Sequence, residues 1–133
     1  MADPVTADPR VGLTVAHRRY VSHAQAHYGG DLVDGAFGLA CFGDVATELC
    51  IRTDGDEGLF ASYSDVQFRA AVRAGDVLEV TGRLVRVGKR SRTILFTASV
   101  LCRARPDLGP SAAEVLPAPL VATTATGTVV IPG

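Results

Sequence analysis

The spacing of apolar residues changes period along this chain, and the changes mark its elements. Val11, Leu13 and Val15 alternate with smaller or polar residues and predict a short strand. Leu32, Val33, Ala36, Leu39, Ala40, Phe42, Val45, Ala46 and Leu49 then spread around much of a helix running to about residue 50. Apolarity on so many sides predicts a helix wrapped by a sheet. Asp54-Gly55-Asp56-Glu57-Gly58 is a turn by composition, and beyond it the period becomes two. Val66, Phe68, Ala70 and Val72 alternate with Asp65, Gln67 and Arg69. Ala74-Gly75-Asp76 turns into a strand from Val77 to Val87, and Gly88-Lys89-Arg90-Ser91 turns into another from Thr93 to Arg103. In the latter, Ile94, Phe96, Ala98, Val100 and Cys102 share one face. Three consecutive runs with short turns predict an antiparallel meander. Arg105 to Pro119 is expected as a proline-containing connection and Thr126 to Ile131 as a last strand. A glycine inside a strand, such as Gly82, suits a sheet that must bend.

These elements sum to an α+β domain, a long central helix cradled by a curved antiparallel sheet. Residues 1 to 10 hold two Asp-Pro pairs and no apolar core, so a disordered leader is expected there rather than a signal peptide. Residues 11 to 133 are expected as a single domain. With 47% hydrophobic and 20% charged residues the chain has enough apolar surface to fold. A net charge of −1 and the absence of Trp remove both the basic face and the stacking platform of a nucleic-acid binder. Cys41, Cys50 and Cys102 are too scattered for a disulfide framework or a zinc site and read as buried, reduced thiols. The Asp54-Gly55-Asp56-Glu57 run lacks the spaced ligands of a calcium loop, so no metal is expected. No segment approaches the roughly 20 apolar residues of a membrane span, which points to a soluble cytoplasmic protein. A sheet this apolar leaves an edge or face to cover, and a homodimer is expected.

The candidate chemistry is concentrated in Ala26-His27-Tyr28-Gly29-Gly30-Asp31-Leu32-Val33-Asp34-Gly35-Ala36 and in Gly43-Asp44-Val45-Ala46-Thr47-Glu48-Leu49. The first crowds glycines and acids at a helix start, where free N–H groups can meet developing negative charge. Asp31 or Asp34 can cap that helix. In the second, Asp44 and Glu48 stand four apart and share a helix face. Together they suggest a site that polarises a carbonyl and moves a proton. Each residue also has a plainer reading. Glu48 is then a solvated helix residue, Asp44 an ion-pair partner, His27 a loop hydrogen-bonder, and Gly29-Gly30 a hinge. Lys89, Arg90 and Arg92 form a basic turn that either meets phosphates or is a solvated hairpin tip. His17 and His23 carry no functional expectation.

The same two segments closely resemble one branch of the hot-dog fold superfamily, the 3-aminoacyl-CoA ammonia lyases, which include beta-alanyl-CoA and 3-aminobutyryl-CoA ammonia lyases. The likeness continues through Tyr63, Phe68, Val72, Gly75-Asp76, Val87-Gly88, Ser91 and Phe96 to Ala125-Thr126-Gly127. It implies a hot-dog fold and the elimination of ammonia from a 3-aminoacyl-CoA, or its addition to an enoyl-CoA. Donors around Asp34, Gly35 and Ala36 are then expected to hold the thioester oxygen, with Gly30 giving the ligand room and Tyr28 or His27 orienting it. Glu48 is the expected base and proton shuttle, its pKa raised by burial, with Asp44 holding the ammonium group or tuning Glu48. Lys89, Arg90 and Arg92 are the expected contacts to coenzyme A phosphates, across a dimer. No cofactor is implied beyond the coenzyme A of the substrate. The family carries Asn where this chain has Asp31; a carboxylate would repel an enolate, so Asp31 is expected to cap the helix instead. Two other readings stay open: a thioesterase acting on acyl-CoA or an acyl-carrier thioester, and a non-catalytic acyl-CoA-binding protein. The acyl chain, the reaction direction and assembly beyond a dimer unit are open too.

Overall fold

Asp34 starts the helix on which the fold is built. In the computed structural model, which describes residues 8–133, its Oδ1 accepts the Phe37 N–H at 3.1 Å. The helix α1 spans Gly35–Asp54 and ends at Gly55, which takes the left-handed conformation and donates its N–H to the Ile51 carbonyl. Asp31 does not cap it. Asp31 sits one turn earlier at φ +62° and Gly30 at φ +68°, so this loop needs two left-handed residues in succession. Asn and Asp tolerate that conformation better than other side chains with a Cβ, which suits Asp31 to this turn.

Among the described residues seven strands accompany the helix: β1 (Thr14–Tyr20), β2 (Leu32–Val33), β3 (Leu59–Phe68), β4 (Val72–Arg73), β5 (Val77–Val87), β6 (Ser91–Ala104) and β7 (Ala113–Val130). The main sheet has the order β1-β5-β6-β7-β3 and every pairing is antiparallel. β2 and β4 form a separate two-stranded sheet. A long helix on a curved antiparallel sheet is the arrangement expected of a hot-dog fold.

The expected meander holds for β5 and β6, which β7 extends, and fails for β3, which crosses to the far edge and pairs with β7. Leu32 and Val33, read as helical, belong to β2 instead. The last strand begins at Ala113 rather than near Thr126. A register shift between Val115 and Leu120 takes up Pro117 and Pro119, which cannot donate to a ladder, and so hides most of β7 from a pattern reading.

The core lies between α1 and the sheet. Phe42, Val45, Ala46 and Leu49 face Leu78, Val80, Leu84, Ile94, Phe96, Ala98 and Val100, all buried. Phe42 stacks on Phe96 with ring centroids 4.9 Å apart. Gly82 permits this close approach: a Cβ there would lie 2.8 Å from the Val45 Cγ1. Burial of the helix is less complete than its apolar pattern implies, since Ala36, Ala40, Asp44, Thr47 and Ile51 form an exposed stripe.

The far end of α1 is closed by charge. Arg92 donates to both oxygens of Asp54, at 2.7 and 2.9 Å, and Arg10 reaches the same carboxylate at 2.8 Å. The expected leader is thus anchored where it is described, at Asp8 and Arg10; residues 1–7 lie outside the described part of the chain. No helix among the described residues is long and apolar enough to cross a membrane.

Candidate active site

A cavity of about 700 Å³ opens at the start of α1. Val33, Asp34, Gly35, Ala36, Phe37 and Gly38 form one side, and Phe68, Arg69, Ala70, Ala71 and Val72 the other, with Tyr28 and Thr123 beside them. Gly35 is required here because the Phe68 ring lies over it: a Cβ would come within 2.6 Å of the Phe68 Cζ. The Phe37 N–H is used by the cap, while those of Gly35 and Ala36 have no acceptor among the described residues. Two backbone donors at the positive end of a 20-residue helix therefore belong to residues lining the cavity.

The wall opposite is held by a buried carboxylate. Asp76, fully buried, accepts from Arg103 Nε and Nη2 at 3.0 and 2.9 Å and from the Arg73 N–H at 2.8 Å. Arg103 also donates to the Ala71 carbonyl at 2.8 Å, which fixes the segment between β3 and β4. The Ala74 N–H, just past β4, donates to the Asp31 carbonyl at 2.9 Å, tying the turn after β4 to the glycine loop.

Asp34 contributes a carboxylate to this cavity as well as the cap. Its second oxygen lies 3.9 Å from His27 Nδ1, and the side chain is 34% exposed. Of the residues lining the cavity, only Asp34 and Arg69 carry a formal charge at neutral pH. Tyr28 reaches the lining, and His27 stacks edge-on against it, 4.7 Å between centroids. Gly30 and Asp31 shape the loop without lining the cavity.

Glu48 and Asp44 are elsewhere. Asp44 stands nine and Glu48 thirteen positions beyond Gly35, roughly 14 and 20 Å along the helix axis. Glu48 sits between His17 Nε2 and Arg52 Nε, each 2.8 Å away. The Arg52 hydrogen bond first, and the His17 contact next, hold its carboxyl below the usual range. That is opposite to the expected rise: at 39% exposure Glu48 is not desolvated in an apolar cleft. Asp44 is 65% exposed and 3.4 Å from Arg19, beside a smaller cavity of about 140 Å³ that His17 and Cys41 also line.

Within one chain the basic turn stands apart from this cavity, so a contact from Lys89 or Arg90 to a ligand here would have to cross a dimer. Lys89, Arg90 and Arg92 lie at the opposite end of α1, and the Arg92 side chain is 6% exposed and committed to Asp54. Pattern reading missed Phe68, Arg69, Ala70 and Ala71 as site residues, since an unbroken alternation from Val66 to Val72 reads as one strand. The break that turns this segment into a cavity wall depends on Asp76 and Arg103, distant in sequence.

The sequence model of the Thioesterase superfamily matches residues 39–99. The chain is 51% identical over 112 residues to 3-aminobutyryl-CoA ammonia lyase of Acetoanaerobium sticklandii, an alignment that covers 84% of this chain and 89% of that protein. Its structure is similar to that of beta-alanyl-CoA:ammonia lyase from Clostridium propionicum, with a TM-score of 0.86, 37% identity, and 91% and 86% of the two chains covered. A hexameric hotdog fold thioesterase of Campylobacter jejuni shares the fold, at a TM-score of 0.70 and 15% identity over 88% and 81% of the chains. With the fold, the glycine-rich helix start and these two relatives in agreement, the chain belongs to the 3-aminoacyl-CoA ammonia lyase family of the hot-dog superfamily.

Proposed function

We propose that this protein is a carbon–nitrogen lyase that eliminates ammonia from a short 3-aminoacyl-CoA to give the enoyl-CoA, or adds it in reverse. The observation that carries the reading is the meeting of two unclaimed N–H groups and one carboxylate in a single cavity of a chain so similar to an ammonia lyase.

The α-proton of a thioester is weakly acidic, so its loss needs stabilisation of the enolate and a nearby base. Gly35 and Ala36 N–H groups take the thioester oxygen. The Asp34 oxygen not used by the cap takes the α-proton. Asp34 becomes neutral as the enolate gains its charge, so the two do not repel. The enolate electron pair then forms the carbon–carbon double bond, the bond to the 3-ammonium breaks, and neutral ammonia leaves. Asp34 returns its proton to that ammonia, giving ammonium. Before reaction the same carboxylate attracts the substrate's 3-ammonium group.

This reading moves the base from Glu48 to Asp34 and leaves Glu48 as the hydrogen-bonded link between β1 and α1. No cofactor enters beyond the coenzyme A of the substrate, and such thioesters place the protein in the cytoplasm. A homodimer through β3 fits the edges. β1 presents His17, Arg18 and Arg19, whereas β3 carries exposed Leu59 and Phe68 and one acid, Asp65. Charge protects the first edge from pairing and leaves the second available. Higher assembly is built from that dimer.

Incubation with crotonyl-CoA and ammonium tests the activity by mass spectrometry. Formation of 3-aminobutyryl-CoA is expected. Release of free coenzyme A instead marks a thioesterase, and binding without conversion marks a non-catalytic acyl-CoA-binding protein.

A further inference from the structure

We infer that Arg69 binds a phosphate of the coenzyme A moiety at the rim of the helix-start cavity. This rests on the acyl-CoA reading above. Arg69 is the only cationic residue lining that cavity, and it has no carboxylate partner among the described residues. Most other arginines are spent: Arg10 and Arg92 on Asp54, Arg18 on Glu79, Arg19 on Asp44, Arg52 on Glu48, Arg103 on Asp76. The Arg69 Nε makes one long hydrogen bond to Thr124 Oγ1, 3.3 Å, which leaves the two terminal nitrogens for a ligand.

The base of the side chain is fixed. The N–H groups of Arg69 and Ala70 both donate to the Ala122 carbonyl, at 2.7 and 3.2 Å. A guanidinium anchored in this way presents a planar fork that matches two phosphate oxygens, which a point charge does not. The charges of the cavity mirror those of the ligand. Asp34 is suited to a 3-ammonium, Arg69 to a phosphate, and the wall of Val33, Phe68, Ala70, Ala71 and Val72 to the apolar stretch joining them. A chain of net charge −1 offers no general attraction for a polyanion, so the cation must be local.

The test compares Arg69→Gln with the wild type on crotonyl-CoA and on the crotonyl thioester of pantetheine, which has no phosphate. Arg83→Gln, on an exposed part of β5, controls for loss of one positive charge. Arg69→Gln is expected to raise KM for crotonyl-CoA about tenfold with kcat unchanged, as loss of uniform binding does. KM for the pantetheine thioester should stay at the wild-type value, and Arg69→Lys should recover part of the loss. Unchanged KM for crotonyl-CoA, or an equal rise for both thioesters, overturns the assignment. Should the wild type turn over neither substrate, the lyase reading fails and calorimetry with crotonyl-CoA decides the phosphate site. Weaker binding by Arg69→Gln upholds it, and equal or absent binding overturns it.

Discussion

Arg92 and Asp54 form a doubly hydrogen-bonded pair, 2.7 and 2.9 Å, with 6% and 9% of their side chains exposed. The pair joins the end of α1 to the start of β6, so a residue expected to meet a phosphate holds the fold instead. Removing one member of a buried pair leaves the other charge stranded. Arg92→Met is expected to cost about 3 kcal/mol in denaturant unfolding, the low end for such a loss because Arg10 still reaches Asp54. KM for the thioester should not change.

The same carboxylate sets the acid limit of stability. The Arg92 hydrogen bonds hold the Asp54 carboxyl below its ordinary value, the Arg52 and His17 contacts do so for Glu48, and Arg10 brings Asp8 down to about 2. Each folded value is depressed. The unfolded chain therefore binds more protons across this window, and stability falls as pH drops. The contribution is complete above the unfolded carboxylate values near 4 and is lost as pH falls through the folded ones. Unfolding free energy is expected to be level from about pH 6 to 5 and to decline below about 4. Asp54→Asn should show a shallower decline, and an identical slope would remove Asp54 from the account.

Thiol chemistry checks the core directly. Burial pushes the Cys50 thiol up to about 11 and raises that of Cys41, and both side chains are buried. Thiolate, the reactive form, is then scarce at both. Cys102 is only partly buried. One thiol per chain should react with Ellman's reagent in native protein near pH 8, and three after denaturation. Rapid reaction of two or three native thiols would contradict the packing of α1 on the sheet.

Gly35 and Phe68 give a test of the cavity wall. A methyl group on residue 35 meets the Phe68 ring, so Gly35→Ala is expected to cost about 1–3 kcal/mol, the usual range for overpacking. Adding Phe68→Ala should return part of that loss, because the obstructing ring is gone. A double-mutant cycle measures the coupling, and strictly additive effects would show that the two do not touch.

What could be read from the chain depended on whether the constraint was local. β5 and the buried face of β6 follow from alternation alone, because each strand has one face on the core. The turns at Asp54-Gly55 and Ala74-Gly75-Asp76 follow from composition, although the helix runs up to the first of them rather than ending near residue 50. The place of β3 at the far edge does not, since antiparallel neighbours in sequence need not be neighbours in the sheet. The site divides in the same way. Its glycine-rich helix start was legible, and Asp34, Gly35, Ala36 and Tyr28 do line the cavity. Glu48 misled because a carboxylate on an apolar helix looks purposeful until His17 and Arg52 are seen around it. Those partners come from β1 and from the next turn of the helix, and no periodicity signals the first.

In the proposed reaction Asp34 moves the proton. Asparagine caps helices as well as aspartate does, so Asp34→Asn keeps the Phe37 hydrogen bond and the fold while removing the base. Turnover of crotonyl-CoA with ammonium, measured for Asp34→Asn and Glu48→Gln side by side, gives the decision. A fall of at least about 100-fold for Asp34→Asn, with Glu48→Gln within about tenfold of wild type, is the predicted result. Near-normal turnover by Asp34→Asn would contradict it, and a collapse confined to Glu48→Gln would return the base to Glu48.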